Sequence, residues 1–150
     1  MAGRYFEDIE VGKVEEVGSY LMTREEIVDF ASKYDPQPFH LDEEKAKDSM
    51  FGELVASGFH TASAMMRMMV DNLMKDGGGL GSPGIDELRW VQPVKPGDVL
   101  HLRAQVLEKR ESKSKPGIGI MKNFVEVLNQ KNEVVLTMKS TGFVRKRSAG

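Results

Sequence analysis

Ser57-Gly58-Phe59-His60-Thr61-Ala62-Ser63-Ala64-Met65-Met66-Arg67-Met68-Met69-Val70 is the stretch on which the fold turns. Ser57 and Gly58 open a helix. Ala62, Met65, Met66, Met69 and Leu73 then fall at i, i+3, i+4, i+7 and i+11, the spacing of one helical face. Met68 and Val70 widen that face, which predicts a helix buried over most of its surface. Methionine fills irregular core space well, so the Met-rich run reads as core and not as a cofactor box.

Downstream of this helix the period changes. Residues 76–84 hold five of the fifteen glycines. The run Gly77-Gly78-Gly79-Leu80-Gly81 invites comparison with a phosphate loop, but it lacks a following Lys-Ser/Thr and follows a helix instead of a strand. It reads as a flexible connector. From there on, Leu88 and Trp90 alternate with Arg89 and Val91, and Leu100, Leu102, Ala104 and Val106 alternate with His101, Arg103 and Gln105. Gly117–Leu128 and Val134–Arg145 read as two further strands, with Asn129–Glu133 as the hairpin loop between them.

Upstream, Thr23-Arg24-Glu25-Glu26 forms a capping box that starts a helix carrying Ile27, Phe30, Ala31 and Tyr34. Pro36 disfavours helical geometry at Asp35 and stops that helix near Tyr34. Asp42 caps a short helix from Glu43 to Asp48. Phe6 to Met22 reads as extended segments around a turn at Val11-Gly12-Lys13. Helices in the first half followed by at least four strands predict an α+β fold with an antiparallel sheet, not a doubly wound one.

Composition narrows the function classes. One hundred and fifty residues make a single domain over 1–150. The balance of 21 Lys+Arg against 23 Asp+Glu argues against a nucleic-acid-coating domain. With no cysteine there is no disulfide, thiolate nucleophile or Cys-ligated metal, and the three histidines are too scattered for a metal site. The start of the chain shows no signal-peptide pattern, and Ala62–Val70 is too short and too interrupted by Arg67 to span a bilayer. The expected compartment is the cytoplasm.

The chemistry concentrates in Tyr34-Asp35-Pro36-Gln37-Pro38-Phe39-His40-Leu41-Asp42. Two prolines fix two φ angles, and the rigid turn carries a carboxylate and an imidazole on either side of it. Such a pair suits proton transfer near neutral pH. On spacing alone, a helix-ending aspartate and a packing histidine are the simpler explanation of these residues. The helix start at Ser57-Gly58 adds unpaired amides and the positive end of a dipole, a place for a polarised carbonyl, although an ordinary cap has the same sequence.

Asp35-Pro36-Gln37-Pro38-Phe39-His40, then Ala46, Phe51-Gly52 and Val55-Ala56-Ser57-Gly58, resemble the hydratase motif of the MaoC-like dehydratases, which include the (R)-specific enoyl-CoA hydratases. Phe6-Glu7-Asp8-Ile9-Glu10-Val11-Gly12 and Val94-Lys95-Pro96-Gly97-Asp98 fit the same family, so the resemblance covers nearly the whole chain. It implies a hot-dog fold, in which a curved antiparallel sheet wraps around a central helix, here the one from Ser57-Gly58. It implies Asp35 and His40 as the catalytic pair and Ser57-Gly58 as substrate-binding, with the Gly58 amide on a thioester carbonyl. It also implies a hydro-lyase acting on 2-enoyl-CoA or 3-hydroxyacyl-CoA, no cofactor beyond the substrate's coenzyme A, and a homodimer or larger assembly. Gln37 stands where the family usually has Asn, and Ser57 where His is common.

Two other functions fit the same fold. A hot-dog thioesterase needs an acid on the central helix, and this one offers only Asp71 near its far end. A non-catalytic acyl-CoA-binding domain needs neither Asp35 nor His40. The basic run Lys109–Lys115 is a candidate for the coenzyme phosphates. Apolar residues on both faces of the Gly117–Leu128 strand predict a second subunit against the sheet.

Overall fold

Among the described residues, one strand from the first half of the chain and four from the second form a single antiparallel sheet. The computed structural model describes residues 5–74 and 79–147. Strand β1 is Glu15–Leu21, β2 Gly79–Trp90, β3 Val99–Glu111, β4 Ile118–Leu128 and β5 Val134–Arg145, in the order β1-β3-β4-β5-β2. Helices α1 (Arg24–Tyr34), α2 (Pro38–Leu41), α3 (Glu43–Ala46) and α4 (Gly58–Met69) lie between β1 and β2, and α4 runs on into a π turn over Val70–Met74. The period-two residues Leu100, Leu102 and Ala104 of β3 share one core with Val125, Val127, Leu136 and Met138, and that core closes on Ala64, Met65 and Met68 of α4. A curved sheet wrapped around one central helix is the hot-dog fold.

Local signals in the first half act as their chemistry dictates. Thr23 Oγ1 accepts the Glu26 amide at 3.1 Å and starts α1. Asp42 Oδ1 accepts the amides of Glu44 and Lys45 and starts α3, which ends at Ala46, short of the expected Asp48. Gly18 has φ +89°, and a Cβ there would lie 2.9 Å from Met68 Sδ, so only glycine lets β1 cross α4 this closely. The strand bulges at the same place, between Val17 and Tyr20.

Two expectations need correction. The buried face of α4 consists of His60, Thr61, Ala64, Met65 and Met68, whereas Met66 and Val70 are 45% and 41% exposed. Methionines surround this helix, so its periodicity admits more than one inner face, and the sheet takes the face with the smaller residues. Residues 79–84, expected as connector, are the first half of edge strand β2, where Pro83 is tolerated because one side has no ladder partner; residues 76–78 of that expectation lie outside the described residues. Ile118, Ile120 and Phe124 of β4 are half-buried within one chain.

Candidate active site

Asp35 and His40 meet because Pro36 and Pro38 turn the chain between them. Asp35 leaves α1 as its C-cap with φ −153° and ψ 66°. Gln37 then caps α2, with Pro38 in its first turn, where a missing N–H costs nothing. His40 follows on the inner side of that turn and is 5% exposed. Its Nε2 stands 3.3 Å from Asp35 Oδ2.

The hydrogen bonds fix the roles of the individual atoms. His40 Nδ1 lies 2.6 Å from the Val55 carbonyl oxygen, which can only accept, so Nδ1 carries a hydrogen. Nε2 therefore has a proton to give only when the ring is an imidazolium, and its partner across 3.3 Å is then the Asp35 carboxylate. That carboxylate is held at both oxygens: Gln37 Nε2 donates to Oδ1 at 2.6 Å and Ser57 Oγ donates to Oδ2 at 2.7 Å. Burial pushes the Asp35 pKa up, but the Gln37 and Ser57 donors and the charge of His40 outweigh it, leaving the carboxyl below its ordinary range. Both residues that depart from the family pattern thus converge on one carboxylate.

Ser57 is fully buried, and its hydroxyl also accepts the Phe59 amide at 3.3 Å. The hydroxyl thus donates to Asp35 and accepts from Phe59, tying the head of α4 to the Asp35 carboxylate. Gly58 begins α4, where its N–H has no intrahelical acceptor. The Trp90 indole covers the other side of this glycine. Trp90 Nε1 donates to the Gly58 carbonyl at 2.8 Å, and a Cβ on Gly58 would lie 2.4 Å from the ring. Neither Trp90 nor the Val55 carbonyl is marked by local sequence; Trp90 reads there only as one residue of an alternating strand.

The basic run does not reach this site. Register aligns Trp90 with Leu136, Val127 and Leu102, while Lys109–Lys115 lies at the opposite end of β3. Lys109 is seven residues along β3 from Leu102, about 23 Å at the rise of a strand, and Lys113 and Lys115 lie beyond the end of β3. Lys109 is moreover occupied: its Nζ donates to the carbonyls of Phe6 and Ile9 and sits over the Phe6 ring. Among the described residues no group of three or more histidine and acidic side chains is arranged to hold a metal ion, and no helix is long and apolar enough to cross a membrane.

Comparison with known proteins places this geometry. The solved MaoC-like dehydratase from Rhodospirillum rubrum is 40% identical, with a TM-score of 0.89 over 97% of this chain and 99% of that one. The R-hydratase PhaJ1 from Pseudomonas aeruginosa is 25% identical, with a TM-score of 0.74 over 95% of this chain and 86% of that one. The 3-hydroxybutyryl-CoA dehydratase of Methylorubrum extorquens is 32% identical over 106 residues, 69% of this chain and 64% of its own length. The model of the MaoC like domain matches residues 8–128, spanning the Asp35–His40 turn, the head of α4 and most of the sheet, and the chain belongs to that family.

Proposed function

We propose that this protein is a hydro-lyase that adds water reversibly to the double bond of a 2-enoyl-CoA thioester, giving a 3-hydroxyacyl-CoA. The observation that carries this reading is the opposed pair: a carboxylate held charged by two donors, facing an imidazole whose second nitrogen is pinned as a donor. The names of the similar dehydratase and R-hydratase point the same way.

The geometry supports one proton path. A water between the two side chains gives a proton to Asp35 while its oxygen bonds to C3. Electron density moves from the double bond onto the thioester oxygen, where the Gly58 N–H stabilises it. C2 then takes the Nε2 proton of the His40 imidazolium on the same face. Asp35 is left protonated and His40 neutral, and a transfer back across their 3.3 Å separation restores both. No resident cofactor enters any step, because coenzyme A arrives with the substrate. A thioesterase mechanism finds less support, since Asp71 sits in the π turn and is paired with Arg67 at 2.8 Å.

A panel of 2-enoyl-CoA and 3-hydroxyacyl-CoA thioesters, followed for hydration and thiol release, tests the reading. Hydration without thiol release and a single product stereoisomer are expected. Thiol release would mean a thioesterase, and binding without either reaction a carrier domain.

We further infer that the chain works as a homodimer or larger homo-oligomer. Phe59, Met66, Val70 and Met74 form an exposed stripe along α4 at i, i+7, i+11 and i+15, beside the almost wholly exposed edge strand β2. A long free strand edge flanked by an apolar helix face is a surface that soluble proteins cover. An apolar cavity of about 500 Å³, lined by Met66, Met69, Leu73, Ile85 and Val144 among others, opens on this side and offers room for an acyl tail. Light scattering at micromolar concentration is expected to show at least twice the 16.8 kDa chain mass. A particle of the single-chain mass would sink the inference.

A further inference from the structure

A second imidazole–carboxylate contact lies beside the first. His60, on the inner face of α4, is 2% exposed, and its Nε2 is 2.9 Å from Glu26 Oε1. The same Glu26 oxygen accepts the Tyr20 hydroxyl from β1. Phe30 of α1 lies flat on the His60 ring, with centroids 4.8 Å apart and planes 8° from parallel. His60 Nδ1 is buried without a hydrogen-bond partner among the described residues. An N–H there would be stranded at a cost of about 1–3 kcal/mol, whereas a bare lone pair is tolerated more easily. The Nε2 N–H is donated to the Glu26 carboxylate, which can only accept. Burial raises the Glu26 pKa, but the donors Tyr20 and His60 bring it below the ordinary value; burial and the bond to Glu26 push the Tyr20 phenol up to about 12. Asp29 and Arg67 are the other charged groups acting on this cluster.

From this placement we propose that Tyr20, Glu26 and His60 are positioning residues for Asp35, acting as a brace that fixes how α1 lies across the head of α4. Helix α1 meets α4 through two polar contacts. One is Asp35 with Ser57, the other Glu26 with His60. Glu26 and Asp35 are nine residues apart, about 13.5 Å along the helix, while Ser57 and His60 lie within one turn of each other. Two anchors so far apart set the tilt of α1. With the far one released, α1 is left to pivot on the Asp35–Ser57 bond, and a tilt of about 4° displaces its far end by about 1 Å and turns the Asp35 carboxylate against its donors, a change of orientation that costs an acid–base site rate. The expected sequence reading of Glu26 as half of a capping box leaves this role out. Thr23 does accept the Glu26 amide, but the carboxylate is turned to β1 and α4.

This inference rests on the hydratase reading for its kinetic test but not for its direct one. His60→Phe keeps the ring on Phe30 and removes the N–H. It is expected to lower kcat for hydration about 10-fold with KM within twofold, and to move the acid limb of the kcat profile upward as Asp35 slips from its donors. Glu26→Gln keeps an oxygen for His60 and a group within reach of Tyr20, and is expected to retain kcat within about threefold. Should His60→Phe fail to fold, Glu26→Ala breaks the same brace from a half-exposed position and takes the same readouts. Carbon NMR titration of the Asp35 carboxyl, with no substrate present, is expected to show a raised pKa in His60→Phe and an unchanged one in Glu26→Gln. That titration decides the brace even if no 2-enoyl thioester is turned over. A folded His60→Phe or Glu26→Ala whose Asp35 titrates as in the parent protein overturns it.

Discussion

Asp35→Asn and His40→Gln each lower kcat for hydration of a 2-enoyl-CoA by on the order of 10² or more, the usual scale for losing a positioned acid or base. Asparagine keeps the shape of Asp35 and one acceptor oxygen for either Gln37 or Ser57, but it takes no proton from water. Glutamine in place of His40 keeps a polar group near the Val55 carbonyl and loses the proton donor for C2. Because the two groups act on one water and then exchange a proton with each other, the double variant is expected to be little worse than the poorer single. Multiplicative losses would mean two independent roles. The acid limb of the wild-type profile is expected below the ordinary carboxylate range, since the donors at both Asp35 oxygens favour its charged form. The same sign governs stability. A carboxyl depressed on folding stabilises the protein above its unfolded pKa, and that contribution is lost as pH falls through the folded value. The melting-temperature gap between wild type and Asp35→Asn should therefore narrow on acidification. Both single variants retaining near-wild-type kcat while folded would remove Asp35 and His40 from the mechanism.

The turn that carries this pair is readable in the sequence because local rules build it: two prolines, a helix that must stop, and a cap. The supports around it depend on chain segments that meet only after folding. Gln37 sits two residues from Asp35, but Ser57 comes from 22 residues on, and both look from sequence alone like departures from a pattern. The strands β3 to β5 follow from clean alternation, whereas β2 is hidden by glycines and Pro83 and forms because β5 supplies a ladder partner. On α4 the two faces are both apolar enough to be buried. The sheet covers the one with His60 and Ala64, and the Phe59–Met66–Val70–Met74 stripe is left outside. A period identifies such a helix without saying which of its faces the chain itself will cover. Glu26 shows the same limit at a single residue: its amide obeys the local capping rule, and its carboxylate answers to Tyr20 and His60, 6 and 34 residues away.

Gly58→Ala tests the other half of the site. Alanine is ordinarily the better helix former by up to about 1 kcal/mol. Here its methyl would lie 2.4 Å from Trp90 Cε2 and 2.5 Å from Nε1, so the indole must move. The displaced ring gives up its hydrogen bond to the Gly58 carbonyl and its edge contact with Phe59. Overpacking of this kind costs about 1–3 kcal/mol, which outweighs the propensity gain, so a lowered melting temperature is expected. Trp90 is the chain's single tryptophan and is already 47% exposed, so its outward swing should appear directly as a red-shifted emission. The loss of kcat should be at least about 10-fold, because a thioester oxygen held by the Gly58 amide needs donors placed to within a fraction of an ångström. Trp90→Leu separates the two causes. Combined with Gly58→Ala, it frees the space the methyl needs, and stability should return to that of Trp90→Leu alone. If glycine is required only to seat the indole, activity returns as well. If the amide holds the reacting carbonyl, the methyl still crowds its approach, and the stable double variant stays at least about 10-fold below Trp90→Leu in kcat. That second outcome is the one expected, and a full return of turnover would take Gly58 out of the reaction.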